Sequence, residues 1–215
     1  MYRFSRQLRL SGSKLTSAMA WANELTENVR SVTALPVNLL TEVYSPGSGT
    51  LVWSTMAADL RDIEAGLDKL MVDNRFNELQ EGGFAYLLPG TLKDTLRTIV
   101  HPTEGPSPIP DFEYVTCTYS TIAAGHLARA IPVGIQIAER VTELTGSLTT
   151  FEADATGNYG GVAWIAIAAN ITAMQEAEGK VTRDPGFIEF VDREASTVFA
   201  SAPGATTSRI LRKLL

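Results

Sequence analysis

The sequence predicts an α+β fold written twice, as two tandem β-α-β-β-α-β units packed sheet to sheet. Three observations predict it. A glycine, two aliphatics and a tryptophan recur in GTLVWST (49–55) and GGVAWIA (160–166), with Trp53 and Trp164 111 residues apart. Each recurrence sits in the same order of strand-like and helix-like patterning. A stretch with four prolines, HPTEGPSPIPD (101–111), separates the two copies.

The repeat extends well beyond the tryptophans. At the offset of 111, Lys69 meets Lys180, Asp73 meets Asp184 and Phe76 meets Phe187, so LDKLMVDNRF and EGKVTRDPGF read as one element: a helix end and a capped second start. Upstream, Glu42 in LLTEVYS aligns with Glu152 in TTFEADA at 110. Farther upstream Tyr2 meets Tyr114, Leu15 meets Leu127, Glu27 meets Glu139 and Val29 meets Val141, all at 112. These steps imply a two-residue deletion between first helix and second strand, and a hairpin one residue longer in the second copy. Both changes fall in loops, where they cost least. Proline lacks a backbone donor and fixes its own φ, so 101–111 is read as a stiff connector between a first repeat, 1–100, and a second, 112–215.

Taken in order, YRFSRQLRL and its counterpart YVTCTYSTI read as strands. A helix is expected from about Lys14 to Val32, because Ala18, Ala22, Leu25, Val29 and Val32 step by four and three. Its counterpart stripe is Ala130, Gly134, Ile137, Val141 and Leu144, with Pro132 either opening the helix or kinking it. PVNLLTEVYS and GTLVWST flank the turn Pro46–Gly49, a hairpin signal. In AADLRDIEAGLDKLM the residues Leu60, Ile63, Leu67 and Leu70 share a helical face, and a shorter helix follows from about Asn74. LKDTLRTIV closes the copy as a fourth strand, although nine residues also allow a helix. Each copy is therefore a split-βαβ, ferredoxin-like unit. Helices on one side leave the other face of such a sheet bare, and two copies in one chain can cover each other.

Composition narrows the function classes. The chain has 215 residues, is 45% hydrophobic and 20% charged, and carries a formal net charge of −6, which argues against a nucleic-acid or anionic-membrane surface. Arg209, Arg212 and Lys213 make only a short basic patch. The lone cysteine, Cys117, allows no internal disulfide and fits a reducing cytoplasm. MYRFSRQLRL has three arginines and no apolar core, unlike a signal peptide. GGVAWIAIAANITAM is too short to span a bilayer. With two histidines, no CxxC and no HxxxH, a metal site is not expected, and GxSxG and phosphate loops are absent.

The segment EVYSPGSGTLVWSTMAADLRDIEAGLDKLMVDNRF resembles the dimeric α+β barrel superfamily, specifically its NIPSNAP-like and stress-responsive members. An acid on the second strand, a hairpin, a strand tryptophan and an LMxDxxF helix junction carry the likeness, more clearly in the first half. The resemblance implies an α+β barrel pseudo-dimer fused in one chain. That superfamily spans cofactor-free monooxygenases, isomerases, haem enzymes and proteins without a known reaction, so it implies fold more than activity.

Candidate site residues follow from chemistry on these elements. Trp53 and Trp164 would wall a cavity between the sheets and stack on a planar ligand; alternatively each fills the core under a helix, with its N–H satisfied by one partner. Glu42 and Glu152 lie on strands otherwise fit for burial, and would face a shared space where one acts as general base. The alternative is an edge charge or a salt bridge. On the first strand Arg3, Ser5, Gln7 and Arg9 share a polar face, where Arg3 or Arg9 would hold an anionic ligand. The second copy has Val115, Cys117 and Tyr119 there, a divergence that suggests one site rather than two, with Tyr119 among its ligand-binding residues. His126 is the one residue considered as a haem ligand, and a helix-start histidine is more often a surface residue. The expected partner is a small apolar or aromatic molecule, handled without a cofactor by a monomer or homodimer. If it is an enzyme, oxygenation or isomerisation suits that inventory; the alternative is a non-catalytic ligand-binding or protein-interaction module.

Overall fold

Strand alternation sends neighbouring side chains to opposite faces, and helical packing settles which face is which. A computed structural model describes residues 1–12, 15–45, 49–104 and 109–215. Lys14, Pro46–Ser48 of the expected hairpin turn and 105–108 of the expected connector lie outside the described residues. The chain divides into two compact units, Met1–Leu96 with Arg212–Leu215, and Arg97–Leu211.

In the first unit β1 (Tyr2–Arg9) and β2 (Asn38–Val43) pair antiparallel with the two sides of β3 (Thr50–Ala57), and both Arg6 and Leu39 stand opposite Trp53. Leu8, Leu39, Leu51 and Trp53 pack in one cluster with Ala18, Trp21 and Ala22 of α1 (Leu15–Thr33). The helices α2 (Leu60–Met71) and α3 (Asn74–Gly83) complete the layer. LKDTLRTIV is a strand, β4 (Lys93–His101), which starts in this unit and ends in the next.

The second unit repeats the order with β5 (Tyr114–Thr121), α4 (Leu127–Thr145), β6 (Thr149–Asp154), β7 (Gly161–Ala168), α5 (Ile171–Arg183), α6 (Pro185–Phe190) and β8 (Thr207–Lys213). Phe151 stands opposite Trp164, and both pack with Ala130, Val133 and Ala138 of α4. The eight strands run β1-β3-β2-β8-β5-β7-β6-β4 and close into a barrel. The fold is therefore α+β, with tandem ferredoxin-like units in barrel order. At the helix junctions Asp73 and Asp184 accept hydrogen bonds from the backbone N–H of Phe76 and Phe187, at 2.7 and 2.6 Å, the capped second starts expected from the repeat.

Three sequence expectations change. First, the α1 face turns so that Trp21 and Thr26 are buried while Leu25, Val29 and Val32 are half-buried. A threonine can sit at the centre because its hydroxyl is doubly used. Thr26 Oγ1 donates to the Ala22 carbonyl at 2.7 Å and accepts the Trp53 indole N–H at 2.8 Å. Second, α4 begins at Leu127, so Pro132 lies inside the helix rather than opening it. Third, the length changes fall elsewhere than expected: one lies in the hairpin, and another, of opposite sign, lies between the Asp73 and Asp184 caps and the equivalent bridges Leu10–Leu87 and Ile122–Phe199. Leu39 and Phe151 occupy the tryptophan rung, 112 residues apart. The offset of 112 thus persists through the second strand and falls to 111 only across the hairpin, which is one residue shorter in the second copy. Glu42 then matches Asp154, and Glu152 matches Leu40. The acidic letters had drawn the two strands out of register by one side-chain repeat.

With that register, the same contact appears twice in different chemistry. Ala22 matches Gly134 and Thr26 matches Ala138. In the first unit the threonine hydroxyl bridges Trp53 to the Ala22 carbonyl. The second unit lacks that hydroxyl, and Trp164 Nε1 donates straight to the Gly134 carbonyl at 2.9 Å. Closer approach needs a missing side chain. A Cβ on Gly134 would stand 2.3 Å from Phe151 Cζ.

Gly134→Ala is accordingly expected to lower unfolding free energy by about 1–3 kcal/mol, through overpacking against Phe151, as read by urea denaturation. The helix ends supply a converse case. Gly146 closes α4 at φ 73°, whereas its counterpart Ala34 closes α1 at φ 60°. Their amides bond the Thr142 and Arg30 carbonyls at 2.8 and 2.9 Å. An L-residue is strained there, so Ala34→Gly should stabilise by about 0.5–1 kcal/mol in the same assay.

Candidate functional site

Both tryptophans face helices. Trp53 hydrogen-bonds α1 and Trp164 hydrogen-bonds α4, each through its single N–H. Glu152 is the immediate neighbour of Phe151 and stands opposite Ala163, so it emerges on the other side of the sheet. Glu42 follows the same alternation in the first unit, three residues past Leu39. The structure thus separates tryptophans from glutamates by the thickness of a sheet, and the expected cavity holding both is not what these strands build. Burial of the glutamates is nonetheless real. Glu42 is 4% exposed and Glu152 0%, and Thr150 Oγ1 donates to Glu152 Oε1 at 2.8 Å.

Arg3 shares the face of Ser5, whose hydroxyl lies 3.2 Å from that of Ser54. Arg9, at the end of β1, is exposed, with its backbone N–H bonded to Thr91 Oγ1 at 3.1 Å. Neither lines the cavity described below. His126 occupies the N-cap of α4, also outside that cavity.

On the helix-free face of the second unit Tyr119 gathers a charge-balanced cluster. Arg97 lies 5.0 Å and Arg209 5.6 Å from the Tyr119 ring centre. Arg97 Nε donates to Asp154 Oδ1 at 2.7 Å, with these side chains 11% and 12% exposed. Gly161 makes room for this pair, since a Cβ there would stand 2.2 Å from Asp154 Oδ2. Burial opposes the Arg97 charge, but Tyr119, Asp154 and Glu152 outweigh it and leave the guanidinium pKa raised. Burial also pushes the Tyr119 phenol well above its ordinary range; nearby Cys117 adds to this and the two arginines offset part of it. Two guanidiniums thus sit with two carboxyl side chains, Asp154 and Glu152, an arrangement that suits a structural girdle.

On the helix-facing side of the same unit the sheet and its helices border a half-open cavity of about 590 Å³. Trp164, Phe199, Met174 and Ile137 give it an apolar wall. Beside Trp164, on the same sheet face, β5 presents Thr116, Thr118 and Ser120, and the β8 side adds Thr206 and Ser208. Carboxylates enter only through the exposed Glu178 and Asp192. Among the described lining residues there is no histidine, cysteine or tyrosine to hold haem iron, and Met174 is the one thioether.

The first unit shows why this space is open. At the offset of 112, Thr116, Thr118 and Ser120 match Phe4, Arg6 and Leu8. Leu8 belongs to the first unit's core. Arg6 makes a two-pronged bridge to Asp94, Nε–Oδ1 2.8 Å and Nη2–Oδ2 2.7 Å. The equivalent bridges Leu10–Leu87 and Ile122–Phe199 bring the offset back to 112 after the helices, and Asp94 then matches Thr206. An aromatic, an aliphatic and an ion pair in one copy have become small hydroxylated side chains in the other. Sequence reasoning followed the opposite parity of this strand, Val115, Cys117 and Tyr119, and passed over these residues. The signal was legible: T-x-T-x-S on a strand whose twin reads F-x-R-x-L.

Because the folded protein holds the Tyr119 proton more tightly than the unfolded chain, this residue supports folding below the ordinary tyrosine pKa near 10 and loses that support as pH rises past it. Urea stability followed from neutral pH to above 10 should fall in the native protein, with a shallower fall in Tyr119→Phe. Equal slopes would show that this phenol is not the titrating group.

No family model matches the chain, and no curated protein matches it. Solved structures do. A candidate monooxygenase from Fusobacterium nucleatum aligns over 100% of this chain and 92% of its own, with a TM-score of 0.72 at 10% identity. An anthrone oxidase-like protein aligns over 100% and 91%, with a TM-score of 0.64 at 10% identity. A NIPSNAP domain protein from Burkholderia xenovorans aligns over 52% of this chain and 100% of its own, with a TM-score of 0.39 at 14% identity. At such identities the likeness is one of fold. The chain has the dimeric α+β barrel fold, with both halves carried in a single polypeptide.

Proposed function

We propose that this protein binds a small, largely apolar molecule in the helix-facing cavity of its second unit. The observation that carries the reading is the cavity itself, whose matching place in the first unit is taken by Phe4, Leu8 and the Arg6–Asp94 bridge. A core does not keep several hundred cubic ångströms open without loss of packing energy, and such a space with an aromatic wall and a few polar groups is what ligand sites look like. Trp164 supplies a ring held rigid by its bond to Gly134, with Phe199 edge-on at 5.0 Å and Phe151 tilted at 5.3 Å. A flat aromatic ligand suits such a wall.

The names of similarly folded proteins, a candidate monooxygenase and an anthrone oxidase-like protein, direct the search toward oxidation of hydroxylated aromatics. The buried glutamates are not available to that chemistry, since they open on the other sheet face. Any proton transfer in the cavity falls to the exposed carboxylates Glu178 and Asp192, to hydroxyls, to water or to the ligand itself. The non-catalytic ligand-binding reading therefore stands beside the oxidative one, and both use the same pocket.

Titration with anthrone should quench the intrinsic tryptophan fluorescence, and Trp164→Phe should remove the quenchable part. Ala166 lines the cavity, so Ala166→Leu should fill it and weaken binding by about tenfold or more while the protein stays folded. Unchanged affinity in Ala166→Leu would place the ligand elsewhere. Oxygen uptake on addition of anthrone would identify an oxidase; binding without uptake favours the non-catalytic reading.

A further inference from the structure

We infer that the cavity selects neutral ligands carrying a carbonyl or hydroxyl, and that the Ser120–Thr206 hydroxyl pair is the element that grips that oxygen. The inference rests on the cavity being a ligand site, and it names the class of ligand.

Charge comes first. Among the described lining residues there is no arginine, lysine or histidine. The charges present are the carboxylates Glu178 and Asp192, both exposed. An anionic ligand entering the cavity would leave water without meeting a counter-charge, and would pass two negative groups on the way. The contrast with the first unit is direct, for there the matching places hold the Arg6 guanidinium and the Asp94 carboxylate. Replacing that pair by Thr118 and Thr206 removed both charges from the corresponding walls.

Next comes the supply of protons. Thr145, Thr149 and Thr182 donate to the carbonyls of Val141, Ser147 and Glu178, and Ser196 donates to that of Asp192. Their protons are committed to the backbone. Ser120 and Thr206 behave differently, because their oxygens lie 3.0 Å apart and either can be the donor. Two hydroxyls own two protons, and the bond between them uses one. The second proton, and the lone pairs on both oxygens, point to a group beyond the pair. Such a pair donates to a carbonyl or accepts from a phenol by rotating its hydroxyls, which matches neutral oxygen functions and gives nothing extra to a carboxylate. Ser120 is buried and Thr206 is exposed, so the gripped oxygen lies at the cavity's edge while the apolar body rests on Trp164.

Three ligands of one skeleton test this by calorimetry at neutral pH: acetylnaphthalene, ethylnaphthalene and naphthoate. Acetylnaphthalene should bind about tenfold more tightly than naphthoate, and about three- to tenfold more tightly than ethylnaphthalene, the range one hydrogen bond supplies. In the Ser120→Ala/Thr206→Val double variant the advantage of acetylnaphthalene over ethylnaphthalene should vanish, with ethylnaphthalene affinity unchanged. Its retained affinity also reports that the variant is folded. Naphthoate binding as tightly as the ketone, or a ketone advantage surviving the double substitution, overturns the inference while leaving the cavity as a ligand site. Failure of all three to bind the native protein overturns both.

Discussion

The structure depends on one constraint, the seating of a strand tryptophan under a helix with its single N–H satisfied. A buried indole N–H without an acceptor would lose most of what the ring gains by burial. The two units meet the need through the same helix carbonyl position, one through the Thr26 hydroxyl and the other directly at Gly134. Once Trp53 and Trp164 point at helices, alternation fixes the remaining strand residues. Leu39 and Phe151 join the helix side, and Glu152 is carried to the other. The cavity and the Tyr119 cluster are therefore divided by parity, and a one-residue slip would exchange them.

Much of this was legible in the letters. The duplication, the strand and helix order, and the aspartate caps at Asp73 and Asp184 follow from spacing, because each is a local pattern repeated; the barrel arrangement came from the family resemblance and from the need to cover a bare sheet face. What the letters hid has a physical cause. Parity alone cannot say which strand face meets a helix, since Leu51 and Val52 are equally apolar. The decision rests on contacts such as Trp164 with Gly134, thirty residues away in sequence. Matching Glu42 to Glu152 gave weight to the rarest letter on two buried strands. Backbone pairing gives weight to hydrogen bonds, and these set Leu39 and Phe151 level. Thr26 escaped the helical stripe for a related reason: a hydroxyl counts as polar in a pattern, yet is satisfied inside a core when a backbone carbonyl and an indole lie on either side of it.

The buried carboxylates take a different meaning once their neighbours are known. Asp154 meets Arg97 on a shared rung, and Glu152 accepts a hydrogen bond from the Thr150 hydroxyl while adding to the field that holds Arg97 charged. Such charges are expensive to bury alone and tolerable when paired. Their pairing favours one register of β4 against β6, as misregister would strand a guanidinium in a place without an acid. Removing one partner is more disruptive than removing both, for the same reason.

Duplication makes two matching places and lets selection treat them differently. In the first unit the matching places hold bulk and charge: Trp21 meets Trp53 at 5.9 Å, Leu8 joins the core, and Arg6 is tied to Asp94. The second unit gives up that filling on β5 and β8, and keeps instead the ring stack of Phe151, Trp164 and Phe199. Cavities lined by small side chains weaken a fold by a few kcal/mol, and natural proteins retain them where they have a use. A neutral drift toward smaller residues would have left scattered voids and mixed chemistry. The substitutions are instead confined to adjacent positions on two neighbouring strands, all exchange bulk or charge for hydroxyls or small polar groups, and all open on one aromatic wall. That concentration supports the proposed reading of the cavity as a ligand site, with the hydroxyl edge as the end that would meet the ligand's oxygen.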